Sequence, residues 1–122
     1  MSRFVRPVAQ TVQIANGESL SSAVALGAEG ERQLCALQMP AAWTAASITF
    51  AVSADGTTYV PLYFGTGEYT VEAAGGAAAS CGVSLEPRAF AGWPYVKVRS
   101  GTSGTAVNQE AARTIACLVR GV

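Results

Sequence analysis

The chain has no histidine. That removes the side chain whose ordinary pKa lies nearest neutrality, and with it the usual general base and the commonest transition-metal ligand. Serine and cysteine triads of the familiar kind are excluded. Charge is scarce too: only 13% of the 122 residues are charged, eight basic against eight acidic, for a formal net charge of zero. Nucleic acid is therefore not an expected partner, because phosphate binding is driven by clustered Lys and Arg. Low charge also weakens the self-repulsion that keeps small proteins apart, which suits a life inside an assembly. Nor is there a run approaching the roughly 20 apolar residues of a membrane helix, since Gly, Ser or polar residues break each alanine-rich piece. No membrane partner is expected. The start, Met1 to Val8, carries Arg3 and Arg6 with no apolar stretch of signal-peptide length behind them, so export by that route is not expected either.

The three cysteines, Cys35, Cys81 and Cys117, are odd in number and far apart, without Cys-x-x-Cys spacing. Each lies in an alternating apolar run, and they read as buried free thiols, not as a disulfide pair or a zinc site. Reduced thiols suit folding in a cytosol.

What the chain does have is alternation. From Ser47 to Tyr63 two alternating runs flank Asp55-Gly56. Ile48, Phe50 and Val52 share one face of a strand, with Thr49, Ala51 and Ser53 on the other. Asp-Gly tolerates positive φ, so the chain can reverse and lay Thr58, Val60, Leu62 and Phe64 back against the first arm. Similar runs occur at 11–14, closed by Asn16-Gly17, at 20–26 with Leu20, Val24 and Leu26 on one face, and at 33–39, stopped by Pro40. They recur at 69–73, 80–85, 95–100 and 112–119. In the 95–100 run Val96 and Val98 face in, while Lys97 and Arg99 face out. Gly65-Thr-Gly67 reads as a hairpin turn, residues 73–79 as a flexible small-residue loop, and Pro87 to Gly92 as one helical turn with Pro early and Gly as its stop. Trp43 is expected to plug one end of the fold.

About eight short strands with turn signals about every 8 to 12 residues, and no long helix, specify an all-β protein: a single-domain antiparallel β-sandwich or jelly roll over residues 11–122. Residues 1–10 read as an N-terminal arm whose Phe4, Val5, Arg6, Pro7 and Val8 are the candidate interface, with Pro7 barring a regular central strand.

No catalytic, cofactor or metal site is expected. Glu68 and Glu72, four apart on a strand, would sit roughly 13 Å apart at about 3.3 Å per residue, beyond either glycosidase spacing. Glu29 and Glu31 share a short loop without an aromatic cleft. Asp55, the single aspartate, is explained by its turn. Lys97 and Arg99, joined by Arg113 or Arg120, would form a small basic patch or, more simply, a solvated sheet face.

The layout of Ile48 to Leu62 followed by Trp93 to Ser100 resembles discoidin-like or galactose-binding-like jelly rolls: a strand, Ser-x-Asp-Gly, a Tyr-containing return strand and a later aromatic-Val-Lys-Val-Arg strand. Gln13 to Arg120 is also similar to small virion-associated proteins of tailed bacteriophages and prophages, encoded near the major capsid gene. The segments that carry this likeness are 14–22, 38–44, 53–56, 98–103 and 111–114. It implies a structural, non-enzymatic virion protein: a capsid cement or decoration protein on the capsid exterior, assembled in the host cytoplasm. Its implied partners are the major capsid protein and further copies of itself as a dimer or trimer. The alternatives are a carbohydrate-binding module of a head or tail spike, with Trp43, Tyr63, Trp93 and Tyr95 as stacking candidates, and a head-tail connector component.

Overall fold

In Tyr95–Ser100 the buried positions alternate as the sequence requires, with Val96, Val98 and Ser100 inside. The computed structural model describes residues 8–27 and 32–121, and apart from two 3-10 turns its regular elements are such strands. They are β1 (Val8–Ile14), β2 (Leu20–Ala25), β3 (Arg32–Gln38), β4 (Ile48–Ser53), β5 (Val60–Pro61), β6 (Tyr63–Phe64), β7 (Gly67–Glu68), β8 (Gly82–Ser84), β9 (Tyr95–Ser100) and β10 (Arg113–Gly121).

Two four-stranded antiparallel sheets, ordered β1-β10-β3-β8 and β2-β9-β4-β5, face each other. The pairs β1·β10, β2·β9, β3·β8 and β4·β5 nest inside one another. One long antiparallel ribbon is thus wound into two layers, which is jelly-roll topology. The expected all-β sandwich is present. It has ten strands and not about eight, because β6 and β7 form a separate hairpin between β5 and β8.

The core lies between the sheets, with Phe50, Phe90, Ile14, Leu26, Leu34, Leu37, Ile48, Leu62 and Ile115 fully buried. Phe50 meets Phe90 edge-on at 5.0 Å and stacks on Tyr69 at 5.8 Å. Burying a side chain of this size contributes about 2 to 3 kcal/mol. Trp43 is buried as expected, its indole N–H donating to the Ala46 carbonyl at 3.4 Å. Pro87–Phe90 is a 3-10 turn with Pro at its start, and Gly92 ends it at φ +86°.

Several expectations need correction. The return arm of the 47–64 hairpin is broken: β5 holds two residues, and of the side chains expected to pack inward only Leu62 is buried. Residues 69–73 make no strand beyond the single bridge of Val71 to Ile48. Residues 8–10, read as arm, are the first rungs of β1 opposite Val119, Leu118 and Cys117. In β2 the register slips between Leu20 and Ala23, so that Ser21 is buried and its Oγ accepts from the Val98 N–H at 2.9 Å, while Leu20 is only half-buried. A second slip puts an extra residue, Cys35, into β3 between Leu34 and Ala36, and the strict alternation expected there is lost.

Candidate functional site

The two sheets differ on their outer faces. All six residues of β4 are buried, the outward-facing Thr49, Ala51 and Ser53 included. The chain itself covers them. From β7, Glu68 reaches Arg99 on the outer side of β9 at 3.1 Å, with the two side chains only 13% and 12% exposed. Arg99 also donates to Thr49 Oγ1 at 3.4 Å, and Thr49 donates to the Gly101 carbonyl at 2.7 Å. The remaining acceptor capacity of Glu68 is taken by the Ser103 N–H at 3.2 Å and the Ser103 hydroxyl at 3.1 Å. Gly101 permits this loop geometry: at φ +89° a Cβ would lie 2.6 Å from the Thr105 carbonyl oxygen and the Val107 nitrogen. Beside the ion pair, Lys97 Nζ sits 4.4 Å from the centre of the Tyr59 ring. The Ser53-Ala-Asp-Gly56 turn closes the corner: Asp55 Oδ1 accepts from the Thr57 and Thr58 N–H groups at 2.8 and 2.9 Å. These bonds, that of Thr58 first, hold its carboxyl below the ordinary value.

No described residue from outside the sheet covers the outer face of the other sheet. Thr11, Ala116 and Gln38 run across it in register, as do Ala9, Leu118, Ala36 and Ser84. Thr11, Gln13, Gln38, Ser84 and Thr114 are exposed, and Ala36, Ala116 and Leu118 half-buried. None of these residues is charged. At the β3–β8 end the face dips into an open hollow of about 650 Å³.

One end of the sandwich is tied by a polar knot that sequence reasoning missed. Gln109 is 1% exposed. Its Oε1 accepts from the Thr44 N–H at 2.8 Å and Arg113 Nε at 2.9 Å, and its Nε2 donates to the Thr44 carbonyl at 3.0 Å and Ser100 Oγ at 2.7 Å. Every bonding position of the amide is used, as burial demands. No local pattern marks a lone loop glutamine for this role.

The residues expected to carry function are scattered. Phe4, Val5, Arg6 and Pro7 lie outside the described residues, as do Glu29 and Glu31; the backbone of Val8 opens β1. The basic patch does not form: Arg99 is paired with Glu68, Arg113 belongs to the Gln109 knot, and Arg120 lies exposed on the other sheet. Lys97 and Arg99 are thus not a solvated face. Of the four stacking candidates, Trp43 is in the core, Trp93 packs half-buried against it, and Tyr95 lies under Gly56. Tyr63 alone is well exposed, at 61%. All three cysteines are free, but only Cys117 is fully buried; Cys35 and Cys81 are half-buried. Burial pushes the Cys117 thiol up to about 12, which leaves it inert. Among the described residues no three His, Cys, Asp or Glu side chains gather into a metal-binding group, and no helix is long and apolar enough to cross a membrane.

Compared with known families and curated proteins, the chain matches no family model and no curated protein.

Proposed function

We propose that this chain is a structural, non-enzymatic component of a tailed-bacteriophage particle, a cement or decoration protein that binds the lattice of the major capsid protein from outside. The observation that carries this reading is the contrast between the outer faces, one sealed by the chain's own hairpin and the other uncovered by any described residue and neutral except for Arg120 near the end of β10. A flat, neutral sheet face can dock on another protein without stripping water from ions, which is the costly part of burying a charged surface. The sealed core and the absence of histidine agree with a binding role. So does the occupation of Asp55 and Glu68 in structural bonds. The choice of the major capsid protein as partner rests on the sequence resemblance to virion proteins. The carbohydrate-binding reading draws on one exposed ring, Tyr63.

The test is sedimentation with heads of the encoding virus that lack this protein. The unmodified chain should pellet with them, Ala116→Glu on the bare face should not, and Ala23→Glu on the outer side of β2 should bind as well as the unmodified chain. Equal binding by all three, or loss only with Ala23→Glu, would refute the proposal.

A further inference from the structure

Two turns of this chain hold residue pairs that can react with themselves. Asn16-Gly17 joins β1 to β2, and Asp55-Gly56 follows β4. In such pairs the glycine nitrogen, with no side chain to hinder it, can attack the side-chain carbonyl carbon of the residue before it. A bond forms between that nitrogen and Cγ, the nitrogen's proton passes to solvent, and ammonia leaves from Asn or water from Asp. Water then opens the succinimide ring at either carbonyl and leaves Asp or isoaspartate. Asn thus exchanges ammonia for water, Asp is only rearranged, and nothing is oxidised or reduced.

Both glycine nitrogens are held. The Gly17 N–H donates to the Gln109 carbonyl at 2.8 Å, and the Gln109 N–H donates back to the Glu18 carbonyl at 2.9 Å. Gln109 is itself fixed by its buried amide, so this acceptor stays in place unless the knot opens. At the other turn the Gly56 N–H donates to Ser53 Oγ at 2.8 Å, and Ser53 is buried. The Tyr95 ring lies against Gly56, 3.3 Å from where a Cβ would stand. Here the carbon end of the reaction is held as well: the Asp55 carboxylate accepts from the Thr57 and Thr58 N–H groups and from the Ser53 hydroxyl. These bonds keep its carboxyl below the ordinary value, and an ionised carboxylate resists attack by a nucleophile. Asn16 is exposed, so its protection rests on the glycine end.

An N–H that is bonded to an acceptor must give up that bond before its nitrogen can attack, so reaction passes through molecules whose turn has opened. We propose that Asn16 and Asp55 are latent modification sites, at which the fold blocks succinimide formation by holding the N–H of the following glycine. Asn16 is the weaker of the two. Isoaspartate inserts an extra carbon into the main chain, so the Gly17–Gln109 contact cannot re-form in its old register, and an opening that reacts is not reversed. The chemistry does not depend on what the uncovered sheet face binds, and it is tested on the free protein.

The unmodified chain is held near neutral pH in native buffer and in guanidinium chloride that unfolds it. Peptide mass spectrometry follows Asn16 becoming Asp, and isoaspartyl methyltransferase labelling follows isoaspartate at position 55. Asn16 should react about tenfold more slowly folded than unfolded, or slower still, which is the scale of one well-formed hydrogen bond. The slowing at Asp55 should be larger. Hydrogen exchange of the Gly17 amide in native buffer should be slowed by a factor similar to that at Asn16, because one opening governs both. Ser53→Ala should raise isoaspartate at position 55 several-fold and leave the rate at Asn16 alone, and Gln109→Ala should do the reverse. Equal rates in the folded and unfolded chains would overturn the inference. So would fast reaction at Asn16 beside a slowly exchanging Gly17 amide, or an Asp55 rate indifferent to Ser53→Ala in a variant with unchanged circular dichroism.

Discussion

On β9 the outward Lys97 and Arg99 both find partners in residues 59–68, an aromatic ring for one and a carboxylate for the other. On β10 the outward Thr114, Ala116, Leu118 and Arg120 have as partners, among the described residues, their neighbours on the same face, Gln13, Thr11, Gln38, Ala9, Ala36 and Gln33. The sheet whose central outward residues are charged is the one the chain covers itself, and the sheet left open is neutral except for Arg120 near the end of β10. Outward charge on a strand therefore does not imply solvent. Here it marks the attachment points of an inserted hairpin, whereas the surface free to meet another protein is recognised by having little that must be desolvated.

The covered face can be broken at its hinge or at its ion pair. Gly101→Ala forces a side chain into the left-handed region and against backbone atoms 2.6 Å away, and should cost about 3 kcal/mol or more in denaturant unfolding. Glu68→Ala leaves Arg99 nearly buried without its carboxylate, and should cost about 2 to 3 kcal/mol, less than a fully dry pair because some water still reaches it. The double change Glu68→Met with Arg99→Met should recover most of that loss, which a double-mutant cycle would read directly. Lys97→Ala removes the contact with Tyr59 and should cost about 0.5 to 1 kcal/mol.

Acid should erode the fold at the turns. The carboxyls of Asp55 and Glu86 are held below their ordinary values, the first chiefly by the Thr58 N–H and the second chiefly by the Arg88 side chain. A carboxylate whose pKa is lower folded than unfolded stabilises the fold above the unfolded value and loses that contribution as pH falls through the folded one. Melting temperature should thus decline below about pH 4, and more gently in Asp55→Asn. The smallest effect on stability belongs to the bare face: Ala116→Glu should stay within about 0.5 kcal/mol while removing binding to heads. Deleting residues 1–7, which leaves every rung of β1 in place, probes the interface assigned to Phe4–Val8; lower occupancy with an intact β fold would support it.

Much of the fold was legible because strands and turns leave local marks. Val96 and Val98 alternate with Lys97 and Arg99, Asp55-Gly56 marks a reversal, and Pro87 with Gly92 brackets a short turn. The cover over β4 was not legible, since it depends on Glu68 meeting Arg99 at a sequence separation of 31, a distance at which pattern carries no information. The bulges at Ser21–Ser22 and Cys35 hid for a related reason: one extra residue reverses the faces that alternation assigns. The bare face could be read only after topology had placed β1, β10, β3 and β8 side by side.

The most direct measurement is a cryo-EM reconstruction of intact heads carrying the protein. The β1-β10-β3-β8 face should lie against the major capsid protein, with the β6–β7 hairpin directed away from that contact. Density placing the β2-β9-β4-β5 face on the shell, or heads without the protein, would contradict the account.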